Sequence, residues 1–239
     1  MKNALTLIAA LAIAAVCVRL GFWQLDRHRE RTAAIESRLA RSALPEVTWH
    51  TQVPSDTAGL TGRRVRVTGR WGDPSSDVIL RSRSMDGRPG VELLSAFLVG
   101  DPGAVEGAGD AVMVVRGWLP AADGLSPQLA RAGTRRTANE LSGTLISSRE
   151  GRGGAPVWAE TDAGPRLALG GVDLDVIADS LGLDPSPHVI LADWDGSGGF
   201  GPPRELPTDG GPHLSYAVQW FSFAVIGLVG TAILLRRRR

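Results

Sequence analysis

A histidine and two aromatic residues share one face at the start of a long apolar segment near the C-terminus. His213, Tyr216 and Trp220 are spaced i, i+3 and i+7, which places them on one side of a helix, and Gln219 lies beside that side. A neutral imidazole is a common axial ligand of haem iron, and aromatic rings can pack against the macrocycle. The spacing therefore allows a haem-like site, provided that arginines from elsewhere lie near the propionates.

A second group of polar and aromatic residues lies at the end of the apolar segment near the N-terminus. Arg19, Trp23, Gln24 and Arg27 occupy the place where a helix would leave an apolar environment. If the two helices pack together, this group meets His213 at one membrane surface. The same residues also fit an aromatic belt, in which the histidine bonds to backbone or to lipid headgroups. Chemistry alone favours the belt, and both interpretations stay open at this point.

Two apolar segments are long enough to cross a lipid bilayer. Residues 213–235 carry no Asp, Glu, Lys or Arg, and at about 1.5 Å per residue they reach roughly 34 Å, which exceeds a bilayer core of about 30 Å. Residues 4–25 form the other segment, in which Arg19 can extend its charge toward the surface. A cleaved signal peptide competes for this segment, but no small-x-small site precedes a mature-looking sequence. Cys17 also lacks the residues that usually precede a lipoprotein cysteine. We therefore expect two transmembrane helices.

The charge distribution predicts the orientation of both helices. Lys2 and the tail 236–239 give the flanks five positive charges, whereas the body, residues 26–212, carries 20 arginines against all 25 acidic residues, a formal charge of −5. The positive-inside rule then places both termini in the cytoplasm and the body outside the plasma membrane. Three arginines just after the first segment pull the other way, but acidic residues are interleaved with them.

The body between the two apolar segments has the pattern of a mainly-β domain. Alternating or continuous apolar runs separated by turn residues predict strands over 64–69, 77–82, 90–99, 111–119, 139–147 and 188–193. Connections rich in Gly and Pro are expected to be loops over 101–110, 121–137 and 194–211.

Two helical stretches are also expected in the body. A helical extension of the first span is predicted over 26–41, ended by Pro45, and a short helix over 174–181, with Asp173 as its N-cap. The predicted fold is a membrane protein in which two transmembrane helices flank a mainly-β extracytoplasmic domain, a small barrel or curled sheet, with one short helix. Because Cys17 is the only cysteine and lies in the first span, this domain forms no disulfide of its own.

The body offers little that would support catalysis. The sequence has no phosphate loop, no paired-cysteine metal pattern and no nucleophile elbow. The run from Asp193 to Gly198 resembles the start of a calcium loop, but Arg204 stands at its twelfth position instead of Glu. Trp194 is therefore expected to anchor a loop. No enzymatic activity and no nucleic-acid partner are expected.

The three remaining histidines are not expected to bind a ligand. His28 and His50 stand among charged residues and are predicted to be solvated, whereas His188 begins a predicted strand and is predicted to be structural. This leaves the two membrane entrances as the place for a site.

Four ordered motifs resemble the Surfeit locus protein 1 family. They are Leu20-Gly-Phe-Trp-Gln-Leu-Asp-Arg27, then Gly69-Arg-Trp71 with Ile79-Leu-Arg-Ser-Arg-Ser84, then Val114-Val-Arg-Gly-Trp-Leu-Pro120, and His213-Leu-Ser-Tyr-Ala-Val-Gln-Trp-Phe221. The third motif has Val115 where the family pattern usually has Asn, and Gly210-Gly-Pro212 replaces the usual Asn-x before His213. Together the motifs extend over nearly the whole chain.

The resemblance implies an assembly factor for cytochrome c oxidase, with two spans and an extracytoplasmic β-rich domain. It further implies transient binding of haem a, with His213 as an axial ligand of the haem iron. Delivery to oxidase subunit one would follow, with the haem a synthesis machinery as a further partner. On this interpretation the other candidate haem-binding residues are Tyr216, Trp220, Trp23, Gln24, Arg19 and Arg27.

One alternative function remains beside this interpretation. The chain can instead be a cofactor-free membrane scaffold that stabilises an oxidase assembly intermediate. The Arg116-Gly117-Trp118 motif in the body is expected to be structural, because Gly117 permits a β-bulge and Trp118 can fill a core.

Overall fold

The computed structural model of this chain divides into two compact units. One unit is Met1–Ser37 with Leu206–Arg239, and the other is Arg38–Glu205. The described residues are 2–50, 53–54, 59–101, 110–130, 139–148, 154–196 and 199–237. Within them, the first unit is a pair of helices and the second is a mainly-β domain.

All the strands of the described residues lie between the first and the last helix in sequence. In chain order the regular elements are α1 (Lys2–Ser42), β1 (Val47–Trp49), β2 (Arg64–Trp71), a 3-10 turn (Pro74–Ser76), β3 (Val78–Met85), β4 (Arg88–Val99), β5 (Asp110–Pro120), β6 (Glu140–Ile146), β7 (Val157–Ala159), β8 (Arg166–Leu169), α2 (Leu174–Leu181), β9 (Pro185–Ala192) and α3 (His213–Arg237).

Five of the described strands close into a barrel. Their order around the ring is β2-β6-β9-β5-β4, and a further pairing of β2 with β4 closes it. Alternate side chains point inward, and they form one apolar core, which consists of Trp49, Val65, Val67, Phe97, Val99, Val112, Val114, Leu145 and Ile190. At the closing seam, a Cβ on Gly69 would lie 2.0 Å from the carbonyl oxygen of Leu98. Only glycine permits this approach of two backbones.

The sheet continues beyond the barrel through strand β4. One part of β4 pairs with β2 and another with β3, and β8 and β7 extend the sheet on the β3 side. A second apolar core packs there, consisting of Ile79, Val91, Leu93, Leu119, Ala121, Leu129, Ala159, Ala168 and Phe200. A single strand therefore contributes to both cores of the β domain.

A β-bulge lies where β4 and β5 pair. Leu93 is opposite Gly117 and Leu94 is opposite Val115, which leaves Arg116 as the extra residue. Gly117 has a φ of +154°, and a Cβ on it would lie 2.5 Å from the carbonyl oxygen of Gly201. Trp118 is buried. The predicted bulge and core tryptophan are therefore confirmed.

The short helix α2 has the predicted ends. The Asp173 carboxylate accepts a hydrogen bond from the Val176 N–H at 3.2 Å. Gly182 has a φ of +62° and donates its N–H to the Ala178 carbonyl at 2.9 Å. An acidic N-cap and a left-handed glycine are the usual way to satisfy the free backbone groups of helix ends.

The helix pair is packed through small residues. Ala14 and Cys17 of α1 are buried with Ala224 of α3, while many larger apolar side chains of both helices face outward. Both helices are long and apolar enough to cross a membrane. Helix α1 covers both the predicted span 4–25 and the predicted extension 26–41, and it ends at Ser42, three residues before Pro45.

The predicted fold class is confirmed: two candidate membrane helices flank a mainly-β domain, which is a closed five-stranded barrel rather than an open curled sheet. Strands β1, β7 and β8 were not predicted, since three or four residues are too few to show an alternating pattern. The loop predictions over 101–110, 121–137 and 194–211, the calcium-like run and the tail 236–239 fall partly outside the described residues.

Candidate functional site at the start of helix α3

A tight turn sets the first residue of helix α3. The Asp209 carboxylate accepts the Gly211 N–H at 2.8 Å, and Gly211 has a φ of +70°, which glycine adopts without strain. The Pro212 carbonyl then accepts the Tyr216 N–H at 3.1 Å and the Ser215 hydroxyl at 2.8 Å. These bonds make Pro212 the last residue before the helix and place His213 in its first turn.

The His213 imidazole is hydrogen-bonded to helix α1. Its Nδ1 lies 2.8 Å from Oε1 of Gln24, and both side chains are partly buried. The two residues are 189 positions apart in the chain, so the pairing of the helices creates this contact. The hydrogen bond to Gln24 therefore fixes the orientation of the His213 ring.

The segment before His213 packs on the same face of α1, one and two turns further along. A Cβ on Gly210 would lie 2.7 Å from Nδ1 of His28 and 3.0 Å from Oγ1 of Thr32. Both of these polar atoms are buried, and neither has a hydrogen-bond partner among the described residues. The prediction that His28 is solvated is therefore wrong for its Nδ1, because the segment before α3 covers it. The spacing of Gln24, His28 and Thr32, four residues each, is the signal that identifies this face.

A close helix approach lies below the His213 contact. A Cβ on Gly21 would lie 2.6 Å from the ring of Phe221, and that ring also packs edge-on against Phe22, with centroids 5.4 Å apart. Going along α1 from Cys17 to Gly21 to Gln24, the contacts on the other helix run backward, from Ala224 to Phe221 to His213. The two helices are therefore antiparallel, and small residues bring their backbones close.

The remaining predicted site residues have different surroundings. Trp220 packs against the buried cluster of the helix pair and edge-on against Phe223, with centroids 5.9 Å apart. Tyr216 and Trp23 are about half exposed. Arg27 is paired on its own helix with Glu30 at 2.9 Å, and Arg19 is exposed. Of the predicted residues, the structure thus joins His213 to Gln24 by a hydrogen bond and leaves Tyr216, Trp23, Arg19 and Arg27 on the outer surface of the helices.

The donor set near His213 suits a ligand that already holds its metal. Within the described residues, no three His, Cys, Asp or Glu side chains converge as a metal site would need. A bare zinc or iron ion takes three or four protein ligands, whereas haem iron needs only one or two from the protein. A single oriented imidazole beside exposed aromatic and apolar surface is consistent with haem.

The histidines and the calcium-like run of the β domain have structural surroundings. His188 is buried beside Trp49, with Nε2 2.7 Å from the Pro54 carbonyl oxygen, so the prediction that it is structural is confirmed. The Asp193 carboxylate receives two hydrogen bonds from Arg64, at 2.7 and 2.6 Å, and these bonds raise the pKa of Arg64. This carboxylate is therefore engaged by a cation of the protein.

Two further predicted residues of the β domain contribute to packing. Trp194 donates its indole N–H to the Phe200 carbonyl at 2.9 Å, which confirms that it anchors a loop. The Arg116 guanidinium stacks at 4.7 Å from the ring of Trp71 and at 4.7 Å from the ring of Phe200. Such stacking stabilises a bulged strand through cation–π attraction, in keeping with a structural role for this motif.

One cavity of the β domain, lined by backbone and by two aspartates, does not resemble a reaction centre. It has a volume of about 550 Å³ and lies at the start of α2. Its lining is mostly backbone, proline and apolar side chains, and Asp173 is already used as the N-cap of that helix. Its described lining brings no acid and base pair together, so we place no site in it.

The fold and this contact together define a class of protein. A closed β barrel whose sequence lies between those of two apolar helices indicates a membrane protein, and the second helix begins with an oriented histidine. The chain belongs to the SURF1 family, whose model matches residues 11–225. This is the Surfeit locus protein 1 family that the motifs resemble. It is a family of cytochrome c oxidase assembly factors rather than of enzymes.

Bacterial relatives match along most of the chain. A SURF1-like protein of Rickettsia felis is 26% identical over 244 residues, which cover 97% of this chain and 97% of the relative. An uncharacterized SURF1-like protein of Mycobacterium bovis is 26% identical over 217 residues, which cover 87% of this chain and 73% of that protein. The similarity therefore includes both helices and the β domain.

Proposed function

We propose that this assembly factor binds haem a transiently through His213 and assists its delivery to subunit one of cytochrome c oxidase. The observation that carries the proposal is the contact between His213 and Gln24, since it holds an imidazole at the start of α3. In the described part of the chain, the other ring nitrogen, Nε2, makes no hydrogen bond. That nitrogen is therefore available to a metal.

The surroundings of His213 suit an amphipathic macrocycle. Phe22, Trp23, Leu214 and Tyr216 are exposed on the outer surfaces of the two helices and offer apolar contact to a porphyrin ring. Arg19 and Arg27 are exposed on α1, where guanidinium groups can pair with carboxylates such as propionates. Haem would supply an iron centre, while the protein supplies one nitrogen ligand, apolar surface and positive charge.

The charge pattern supports an orientation for this site. Because basic residues flank the apolar helices and the body is acidic, we place both termini in the cytoplasm and the β domain outside the plasma membrane. His213 then lies at the outer membrane interface. A haem held there would be close to lipid, which can accommodate an apolar substituent of the macrocycle.

The test uses the full chain expressed in membranes that make haem a. We expect the purified protein to carry a Soret band, and the variant His213→Ala to lose at least nine-tenths of it, since loss of the single axial nitrogen removes the bond to iron. His50→Ala is the matched control because His50 is an exposed histidine of the β domain. Absorption spectra at equal protein concentration measure both.

Two results would contradict the proposal. A full Soret band in His213→Ala would show that another residue binds the iron. Purified wild-type protein that lacks haem but co-isolates with oxidase subunits would favour the cofactor-free scaffold. Co-isolation of wild-type protein with subunit one, reduced in His213→Ala, would support the delivery step.

A further inference from the structure

The hydrogen bond between His213 and Gln24 bears on which ring nitrogen of the imidazole carries the proton. The atom of Gln24 that faces the ring is Oε1, at 2.8 Å from Nδ1. An amide oxygen is an acceptor only, so a hydrogen bond at this distance requires a proton on Nδ1. A neutral imidazole has one N–H group and one lone pair, so the lone pair must then lie on Nε2.

The position of Gln24 is fixed from both sides along α1. One turn before it, Gly21 receives the ring of Phe221 with no room for a Cβ. One turn after it, Gly210 covers His28, again with no room for a Cβ. Gln24 is itself partly buried between these two close contacts. Helix packing therefore holds the amide and the imidazole at bonding distance.

We propose that Gln24 is a positioning residue that holds His213 in its Nδ1–H tautomer and so presents Nε2 as the nitrogen that binds haem iron. The ligand role rests on the function proposed above, whereas the tautomer is a property of the protein without haem. Metal-binding histidines commonly donate their second N–H to such a partner, which sets the direction of the ring.

The chemical nature of the partner suits a protein that must release its cofactor. A carboxylate at position 24 would form a charge-assisted hydrogen bond and make the imidazole a stronger ligand. The neutral amide of Gln24 orients the ring without that added basicity. The site therefore combines a defined ligand direction with a moderate bond to iron, which favours transfer over storage.

The tautomer can be measured in haem-free protein. The full chain has four histidines, so ¹⁵N-histidine labelling in lipid nanodiscs gives few signals, and His213→Asn identifies the one of interest. We expect the His213 signal of the wild type to show a protonated Nδ1 and an unprotonated Nε2. Gln24→Leu, which removes the acceptor, should convert it to a mixture of tautomers. Gln219→Leu is the matched control because Gln219 is exposed on α3.

A second readout uses haem-loaded protein. Loss of an outer partner of a metal-binding histidine typically weakens binding about 10–100-fold, and we expect this change in haem affinity for Gln24→Leu. Gln24→Glu keeps an acceptor and should bind haem at least as tightly as wild type, with a more negative reduction potential. If Gln24 served only helix packing, Gln24→Leu and Gln24→Glu would not differ in haem affinity and reduction potential in this way.

The outcomes distinguish this proposal from the proposed function. A wild-type His213 protonated at Nε2 would overturn the positioning role of Gln24, whatever the haem spectra show. Equal haem affinity and equal potential in wild type, Gln24→Leu and Gln24→Glu would also overturn it. An Nδ1–H tautomer in a protein that never takes up haem would instead contradict the ligand role of His213.

Discussion

In the β domain the large apolar side chains are buried between strands, whereas in the helix pair most of them face outward. Val65, Phe97 and Ile190 are fully buried inside the barrel. The buried cluster of the helix pair contains little more than Ala14, Cys17 and Ala224. Of the large apolar side chains that are exposed in the described residues, all but Leu44, Trp158 and Trp194 lie on α1 or α3.

The two regions therefore differ in role: the barrel is stabilised by its buried core, and the helix pair carries the candidate site. The barrel buries its large apolar side chains in its own core, and the contacts of its Arg116-Gly117-Trp118 motif are packing contacts. The helix pair leaves much of its apolar surface exposed and holds a polar contact between His213 and Gln24 at its end. Close packing makes the barrel sensitive to added volume, and the same volume should matter less on an outward-facing helix surface.

The largest effect is expected at the seam that closes the barrel. Gly69→Ala should destabilise the β domain by about 3 kcal/mol or more. The new Cβ would lie 2.0 Å from the backbone carbonyl oxygen of Leu98, and a change of side-chain rotamer cannot relieve a clash with backbone. This loss of stability corresponds to a fall in melting temperature of roughly 6–12 °C. Near-UV circular dichroism of the full chain in detergent measures it.

The matched control for this substitution lies on the helix pair. Gly227→Ala places a Cβ where, apart from the adjacent backbone of its own helix, no described atom lies within 4 Å, so the melting temperature of the β domain should stay at the wild-type value. If the two alanine variants melt at the same temperature, the contrast between the dense barrel and the open helix surface is wrong.

A smaller effect is expected where the two helices approach most closely. Gly21→Leu should drive the ring of Phe221 away from α1, at a cost of about 1–3 kcal/mol. Cys17 is buried beside this contact, and a cost near 1.4 kcal/mol would raise its labelling by a membrane-permeable maleimide roughly tenfold. The melting temperature of the β domain should not change. Gly230→Leu, in open space, should leave the labelling of Cys17 slow. Fast labelling in this control would show that the contact between Gly21 and Phe221 is not what protects Cys17.

The smallest effect concerns a charged turn of the β domain. The Asp123 carboxylate accepts the N–H groups of Ser126 and Leu125, each at 2.9 Å. These bonds hold the pKa of Asp123 below its usual value of 3.8, and the bond from the Ser126 N–H contributes most. Since the folded-state pKa is the lower one, the stabilisation is complete above the unfolded-state pKa and is lost as pH falls through the folded-state pKa.

Asp123→Asn measures this stabilisation. We expect it to lower the free energy of unfolding by less than about 1 kcal/mol at neutral pH, because the carboxylate is exposed to solvent. The difference from wild type should shrink toward zero when denaturant titrations are repeated in acid, below the folded-state pKa. A difference that grows in acid would show that another group is responsible.

Patterns of apolar residues predicted most of the elements but not the closure of the barrel. Strands such as β4 and β5 are long and apolar, and α2 has an acidic cap and a terminal glycine, so local chemistry specifies them. The pairing of β2 with β4 and the insertion of β9 between β6 and β5 join residues far apart in sequence. No local pattern encodes such a ring.

The candidate site could be predicted only as a set of residues. The spacing of His213, Tyr216 and Trp220 places them together on a helix, but it does not show that His213 turns toward Gln24. That contact depends on where α3 begins, which the turn from Asp209 to Pro212 sets. It also depends on the close approach at Gly21. Both are tertiary features that act on an otherwise ordinary apolar segment.

The position of β9 has a consequence for how the protein is made. Among the described strands it is the last in sequence, yet it lies between two earlier strands of the ring, hydrogen-bonded to β6 on one side and to β5 on the other. Until residue 192 has been synthesised, β5 and β6 each keep an unpaired edge, and such edges readily pair with other chains. Biogenesis therefore leaves these edges exposed from residue 120 for β5 and from residue 146 for β6 until β9 is complete at residue 192, before α3 is made. A chain that stalls before β9 is expected to need a chaperone or to be degraded.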